Sequence, residues 1–63
     1  MNFKELEKII KADGWKLKNV VGSHYHYEHS VKSGKVTIPY HKGDITKVVV
    51  KYVLQQANID RSL

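Results

Sequence analysis

The dipeptide Gly22-Ser23 constrains this chain more than any other feature, because it separates two segments whose side chains alternate as they do in β-strands. Glycine reaches backbone angles that other residues avoid, and serine can hydrogen-bond the local backbone, so the pair favours a tight turn. The segments on either side, residues 15–21 and 24–31, are therefore predicted to form a hairpin. The other elements must pack around it.

The alternation predicts which side chains share a face of the sheet. In the first strand, one face is predicted to carry Trp15, Leu17, Asn19 and Val21, and the other Lys16, Lys18 and Val20. In the second strand, one face is predicted to carry His24, His26, Glu28 and Ser30, and the other Tyr25, Tyr27, His29 and Val31. Trp15 is predicted to pack in the core, and the paired lysines to lie on an open face.

A third strand and two helices complete the predicted elements. The β-branched residues of Val36–Tyr40 favour a strand, which follows a turn at residues 32–35. The first helix is predicted at residues 3–12, because apolar residues recur there at helical spacing. Asn2 and Glu5 occupy the positions of a capping box at its start.

The second helix is predicted at residues 45–57, with Asp44 as its N-cap and Asn58 as a left-handed stop. One side of it is predicted to carry Ile45, Val49, Tyr52, Val53 and Gln56. Residues 59–63 are predicted to form a short tail.

The order helix, strand, strand, strand, helix predicts an α+β fold, a two-layer α-β-β-β-α sandwich in which one sheet face covers both helices. A length of 63 residues fits one small domain, which we assign to residues 1–63. Cysteine is absent from the sequence, and we expect a cytoplasmic protein. We expect neither a membrane span nor a signal peptide, because charged residues interrupt every apolar run.

The net charge of +5 favours a polyanionic partner, since 11 lysines and arginines stand against 6 acidic residues. All of these cations but one are lysines, which bind phosphate as point charges. Nucleic acid is the partner class that this pattern favours. A solvated basic surface accounts for the same composition, so charge alone leaves both interpretations open.

Several segments at fixed spacing resemble one protein family. They are Asp13-Gly14-Trp15, Gly22-Ser23-His24, and residues 36–41 and 53–59. Together they resemble the HicA family of bacterial toxins, also called YcfA-like proteins, over nearly the whole chain. The resemblance implies a fold similar to the double-stranded-RNA-binding domain, cleavage of mRNA as an endoribonuclease, and silencing by a HicB-like antitoxin. It also implies that His24 is catalytic, and that Gly22 and Ser23 support it.

The chain departs from the family pattern in three places. Tyr25 stands where members often have a second histidine, and Val48-Val49 stands where a Gly-Thr pair commonly opens the last helix. Asn58 replaces a glycine, which is a mild change because asparagine tolerates the left-handed region. His24 is retained.

RNA is cleaved by its own 2′-hydroxyl when a base, charge stabilisation and positioning are supplied. His24 can be the base or the acid, because histidine titrates near neutral pH. His26, on the same predicted face, is the candidate helper. The candidate RNA-binding residues are Lys16, Lys18 and Lys42. No cofactor is expected.

Two other interpretations compete with metal-free cleavage. His24 and His26 could share a metal ion with Glu28 or His41, but that ligand set is incomplete, so we predict no metal. A basic domain of this fold could instead bind duplex RNA by shape without cutting it. Against this, the predicted last helix opens at residues 44–47 with a single lysine rather than a lysine cluster.

Overall fold

The computed structural model describes residues 1–59 and has the predicted α-β-β-β-α order. The elements are α1 (Phe3–Ala12), β1 (Trp15–Val21), β2 (His24–His29), β3 (Val36–Pro39) and α2 (Lys47–Gln56). The strands form one antiparallel sheet in the order β1-β2-β3. The predicted fold class is confirmed. Most of the predicted tail, residues 60–63, lies outside the described residues.

Both helices pack on the same face of the sheet, which we call the helix face. The buried residues of α1, the sheet and α2 form one hydrophobic core there, and the largest of its fully buried side chains are Trp15, Tyr27, Leu6, Ile10 and Ile38. The opposite face, which we call the open face, carries side chains such as Lys16, His24, His26, Glu28 and Thr37. Within residues 1–59 no helix is long and apolar enough to cross a membrane.

The first helix has the predicted bounds and the predicted capping box. The Asn2 side chain accepts the Glu5 backbone N–H at 2.9 Å, and the Glu5 carboxylate accepts the Asn2 backbone N–H at 2.9 Å. The chain then reverses at Gly14, whose φ is 104°. A Cβ at Gly14 would lie 2.6 Å from the His29 ring, so this position needs glycine for space as well as for its backbone angle.

A β-bulge in β1 breaks the predicted alternation. Leu17 pairs with Tyr27, whereas Asn19 pairs with His26, so Lys18 is an extra residue with no partner on β2. The consecutive polar residues Lys18 and Asn19 interrupt the polar–apolar alternation at this point, but the alternation does not show which residue is the extra one.

The predicted faces of β1 are therefore correct only as far as Lys18. Beyond the bulge, Asn19 and Val21 lie on the open face and Val20 lies on the helix face, the reverse of the prediction. Trp15 precedes the bulge and is 1% exposed, as a core residue should be.

The second and third strands are shorter than predicted. β2 ends at His29 rather than Val31, because the His29 ring nitrogen Nδ1 accepts the backbone N–H groups of Val31 and Lys32, each at 2.9 Å. These bonds turn the chain away from the sheet. β3 ends at Pro39, one residue before the predicted Tyr40.

The second helix begins two residues later than predicted, and its N-cap is Thr46 rather than Asp44. The Thr46 hydroxyl accepts the Val49 N–H at 3.4 Å. Asp44 instead pairs with Asn2 in an isolated antiparallel β-bridge, which keeps the preceding segment extended. The helix ends at Gln56, and Asn58 has the predicted left-handed conformation with φ 54°.

The buried side of α2 also differs from the prediction. The buried helical residues are Val50, Val53 and Leu54, whereas Tyr52 is 63% exposed and Gln56 is exposed. Spacing of three and four residues selects this stripe once the helix is docked. Burial offsets the poor helix propensity of the valine run.

Lys32 joins the ends of both helices. Its ammonium donates to the Asp13 carboxylate at 2.5 Å and to the carbonyl oxygens of Ala57 at 3.1 Å and Asn58 at 3.0 Å. Asp13 also accepts the Trp15 indole N–H at 3.2 Å. The hydrogen bond from Lys32 lowers the pKa of Asp13 below its ordinary value.

Candidate functional site

The β1–β2 turn places His24 at one end of the central strand. Gly22 has φ 60°, and no atom lies within 4 Å of a Cβ built there, so the backbone angle alone favours glycine. The Ser23 carbonyl accepts the Tyr40 N–H at 2.6 Å, which ties the turn to the end of β3. The turn is thus held by the pairing of Val21 with His24 and by this bond from the end of β3.

His24 combines a fixed backbone with an exposed side chain. It pairs with Val21 on β1 and with Pro39 on β3, so its position in the sheet is set from both neighbours. Its side chain is exposed on the open face. A titratable ring in this setting can reach a bound polymer and exchange protons with it.

His26 lies next to His24 on the same face, where the alternation of β2 placed it. The two ring centroids are 6.4 Å apart, with 74° between the ring planes. The His26 nitrogen Nδ1 is 2.9 Å from the Thr37 hydroxyl on β3, a hydrogen bond that fixes the ring direction. The pair therefore offers two imidazoles at a defined separation.

The strand that carries both histidines is also anchored from the helix face. The Tyr27 hydroxyl donates to the Glu7 carboxylate of α1 at 2.5 Å. Desolvation by burial, followed by the bond to Glu7, raises the pKa of Tyr27 well above its ordinary value, so the phenol stays neutral at physiological pH.

A groove of about 380 Å³ lies on the open face beside His26. It is lined by Lys18, Asn19, His26, Tyr27, Glu28, Gly34 and Lys35. The Lys18 ammonium is 4.0 Å from the Glu28 carboxylate, and both side chains are largely exposed. His24 does not line this groove but stands next to it through His26.

The three candidate lysines are not gathered at one point. Lys18 reaches the groove beside His26. Lys16 pairs with Glu28, four positions along β2 from His24, which is roughly 13 Å at the rise of a strand. Lys42 is exposed in the loop after β3.

The side chains of residues 1–59 do not assemble a metal site. No group of three or more histidine, cysteine, aspartate or glutamate side chains among them is arranged to hold an ion. The candidate third ligands Glu28 and His41 thus do not complete a set with His24 and His26.

Sequence reasoning missed several residues of the site. Asn19 enters the groove only because of the bulge, and Gly34 and Lys35 line it from the connection between β2 and β3. The pairing of β2 with β3 would have identified Thr37, because it places Thr37 opposite His26. Glu28 was placed on the correct face by alternation.

Comparison with known proteins adds one finding. A family model described as "HicA toxin of bacterial toxin-antitoxin" matches residues 3–59, which is most of the chain and includes every candidate site residue named above. No curated protein matches the chain.

Proposed function

The chain belongs to the HicA toxin family of bacterial toxin–antitoxin systems. On this basis we propose that it is an endoribonuclease that cleaves mRNA with His24 as general acid or base. One observation carries the proposal above the others. His24, the last residue of the Gly22-Ser23-His24 motif, stands exposed at a fixed point of the central strand.

The proposed reaction is attack of an RNA 2′-hydroxyl on the adjacent phosphate. His24 takes the proton of the 2′-hydroxyl, or gives a proton to the departing 5′-oxygen. One imidazole cannot do both at once, so His26, with its ring 6.4 Å away, is the candidate for the other transfer. Gly22 and Ser23 hold the turn that positions His24.

The lysines supply charge rather than proton transfer in this proposal. Lys18, the candidate lysine at the groove, stabilises negative charge near the cut phosphate. Lys16 and Lys42 bind phosphates further along the strand. No cofactor or metal takes part in the proposed reaction.

The family also implies an antitoxin partner. We propose a HicB-like protein that binds the toxin and blocks the face that RNA uses. The positive net charge of +5 suits an acidic or mixed-charge partner surface. Toxin, antitoxin and mRNA would meet in the cytoplasm.

The test is cleavage of an mRNA fragment by purified His24→Gln protein in buffer with EDTA. Glutamine keeps the size and polarity of the side chain but cannot transfer a proton near neutral pH, so cleavage should fall by roughly 10²–10⁴-fold. Cleavage by the His26→Gln protein should fall less than cleavage by the His24→Gln protein. Induced expression in bacteria should show the same order, with growth arrest lost in His24→Gln cells.

Lys8→Gln is the matched surface control, because Lys8 is exposed on α1. It should cleave like the wild type. Equal melting temperatures for all three variants would show that the fold is intact. Full activity of a folded His24→Gln protein would refute the role of His24, and RNA binding by wild type without any cleavage would favour the binding-module alternative. Activity that EDTA removes and one added metal restores would contradict metal independence.

A further inference from the structure

We propose that the groove beside His26 is a subsite for one unpaired guanine of the RNA. The base would lie next to the phosphate that is cut. This inference rests on the proposed ribonuclease function for its biological meaning, but its chemistry can be tested without cleavage.

The shape of the groove comes from two local features of the backbone. The bulge at Lys18 turns both Lys18 and Asn19 toward the open face, where a regular strand would present only one of them. On the other side, Gly34 has φ 85° and no neighbour within 4 Å of a Cβ, so the wall there is open. The volume of about 380 Å³ is within the range of small-molecule sites.

Glu28 gives the groove its selectivity. An ionised carboxylate offers two acceptor oxygens and no donor. Among the four RNA bases, guanine alone presents two adjacent donors, N1–H and N2–H, on its Watson–Crick edge. The ion pair with Lys18 does not occupy Glu28 strongly, because the separation is 4.0 Å and both side chains are more than half exposed.

The remaining groups suit the rest of a nucleotide. The His26 ring offers a flat surface on which a base can stack, and its bond to Thr37 holds that surface in place. The Asn19 amide can donate to the guanine carbonyl. Lys18 and Lys35 lie at the groove as partners for the flanking phosphates.

The groove lies close enough to His24 for a base bound in it to position a phosphate for the proposed cleavage. The rings of His24 and His26 are 6.4 Å apart, a distance that a single nucleotide can span. A guanine stacked on His26 would therefore bring its own or its neighbouring phosphate to His24 and set where the strand is cut.

The first experiment measures binding of the four ribonucleoside 3′-monophosphates by NMR titration. The guanosine nucleotide should bind tightest and shift the amide signals of Asn19, Glu28 and Gly34. Glu28→Gln puts an amide donor opposite the donors of guanine. The affinity of this variant protein for the guanosine nucleotide should therefore drop roughly tenfold. Asp44→Asn is the charge-matched control, since Asp44 is 90% exposed and outside the groove. Equal affinity for all four nucleotides, or no shift at the groove, would overturn the subsite.

The second experiment compares cleavage of RNA oligonucleotides that differ in the single bases flanking one cut site. Wild type should prefer guanine on one side of the cut, and Glu28→Gln should lose that preference while still cutting. Cleavage without base preference would overturn the subsite and leave the ribonuclease proposal standing. Selective guanosine binding without cleavage would support the subsite and overturn the ribonuclease proposal.

Discussion

Asp13 and Lys32 are separated by 19 positions in the sequence yet form the ion pair that joins the ends of the two helices. Both side chains are partly buried. The Lys32 ammonium also donates hydrogen bonds to the carbonyl oxygens of Ala57 and Asn58 at the end of α2. A cation at a helix C-terminus is favoured by the helix dipole as well as by the hydrogen bonds. The pair therefore connects two helix ends that lie far apart in the sequence.

Acid should weaken the fold through Asp13. The hydrogen bond from Lys32 lowers the pKa of Asp13 in the folded state, relative to about 3.9 in an unfolded chain. The ionised carboxylate thus stabilises the fold above the unfolded pKa, and this contribution is lost as pH falls through the folded pKa. The Asp13→Asn protein should be less stable than wild type at neutral pH and should lose less stability below about pH 4.

Urea unfolding at a series of pH values from about 6 to 2 checks this. Asp44→Asn, which changes an exposed carboxylate, should follow the wild-type curve. Parallel curves for Asp13→Asn and wild type would mean that Asp13 is not the group through which acid acts.

Residue-level prediction from sequence succeeded where the cause is local. The capping box of Asn2 and Glu5 and the left-handed Asn58 depend on neighbours within a few positions. The hydrogen bonds that end β2 at His29 were not predictable in the same way, because the ring is also held by the Asp13 carbonyl at 2.7 Å, 16 positions away. Such bonds exist only once the layers are packed.

At the scale of elements, existence and order followed from periodicity, and so did the bounds of α1 and the faces of β2. The ends of β2 and β3, the start of α2 and the faces of β1 beyond the bulge did not. The observed start of α2 is later than the predicted one because the segment before it pairs with the N-terminus. Asn2 forms a β-bridge with Asp44, and the Ile45 N–H donates to the Met1 carbonyl at 2.7 Å. Asp44 is a good cap by residue type, but tertiary pairing uses its backbone differently. The helix then begins at the next residue able to cap it.

Thr46→Ala should therefore destabilise the protein more than Asp44→Ala. Loss of a threonine N-cap costs about 0.5–2 kcal/mol, and the 3.4 Å bond to Val49 places Thr46 at the lower end of that range. Asp44→Ala removes only an exposed side chain whose ion pair with the N-terminus spans 3.9 Å, so the change should be small. Urea unfolding of both variants gives the comparison, and a larger loss for Asp44→Ala would restore the cap predicted from sequence.

At the scale of the whole molecule, the two-layer arrangement separates the hydrophobic core from the proposed site. The helix face holds the core, and the open face holds both site histidines and the groove. Alternation in β2 was enough to predict that His24, His26 and Glu28 share a face. The groove itself was not predictable, since it depends on the bulge and on Gly34 in a connecting loop.

An antitoxin that covers the open face should protect His24 and β2 from solvent. Hydrogen–deuterium exchange of the toxin with and without its antitoxin measures this, with slower exchange expected at the β1–β2 turn and in β2. The complex should also melt at a higher temperature than the free toxin, because a ligand of the native state stabilises it. Exchange on the exposed face of α2, around Tyr52, should not change and serves as the internal reference.

Unchanged exchange at His24 in a tight complex would contradict occlusion. Inhibition would then have to act from another surface, through a change in the sheet or in the turn at Gly22.

The bulge at Lys18 has a consequence for how this surface can change over evolutionary time. Deleting the codon for Lys18 would preserve every residue pair of β1 with β2 and would leave a more regular ladder. The groove would lose one cation from the wall that β1 forms, while the core would lose nothing. Homologous chains can therefore gain or lose this feature by a single insertion or deletion, without any substitution at the histidines.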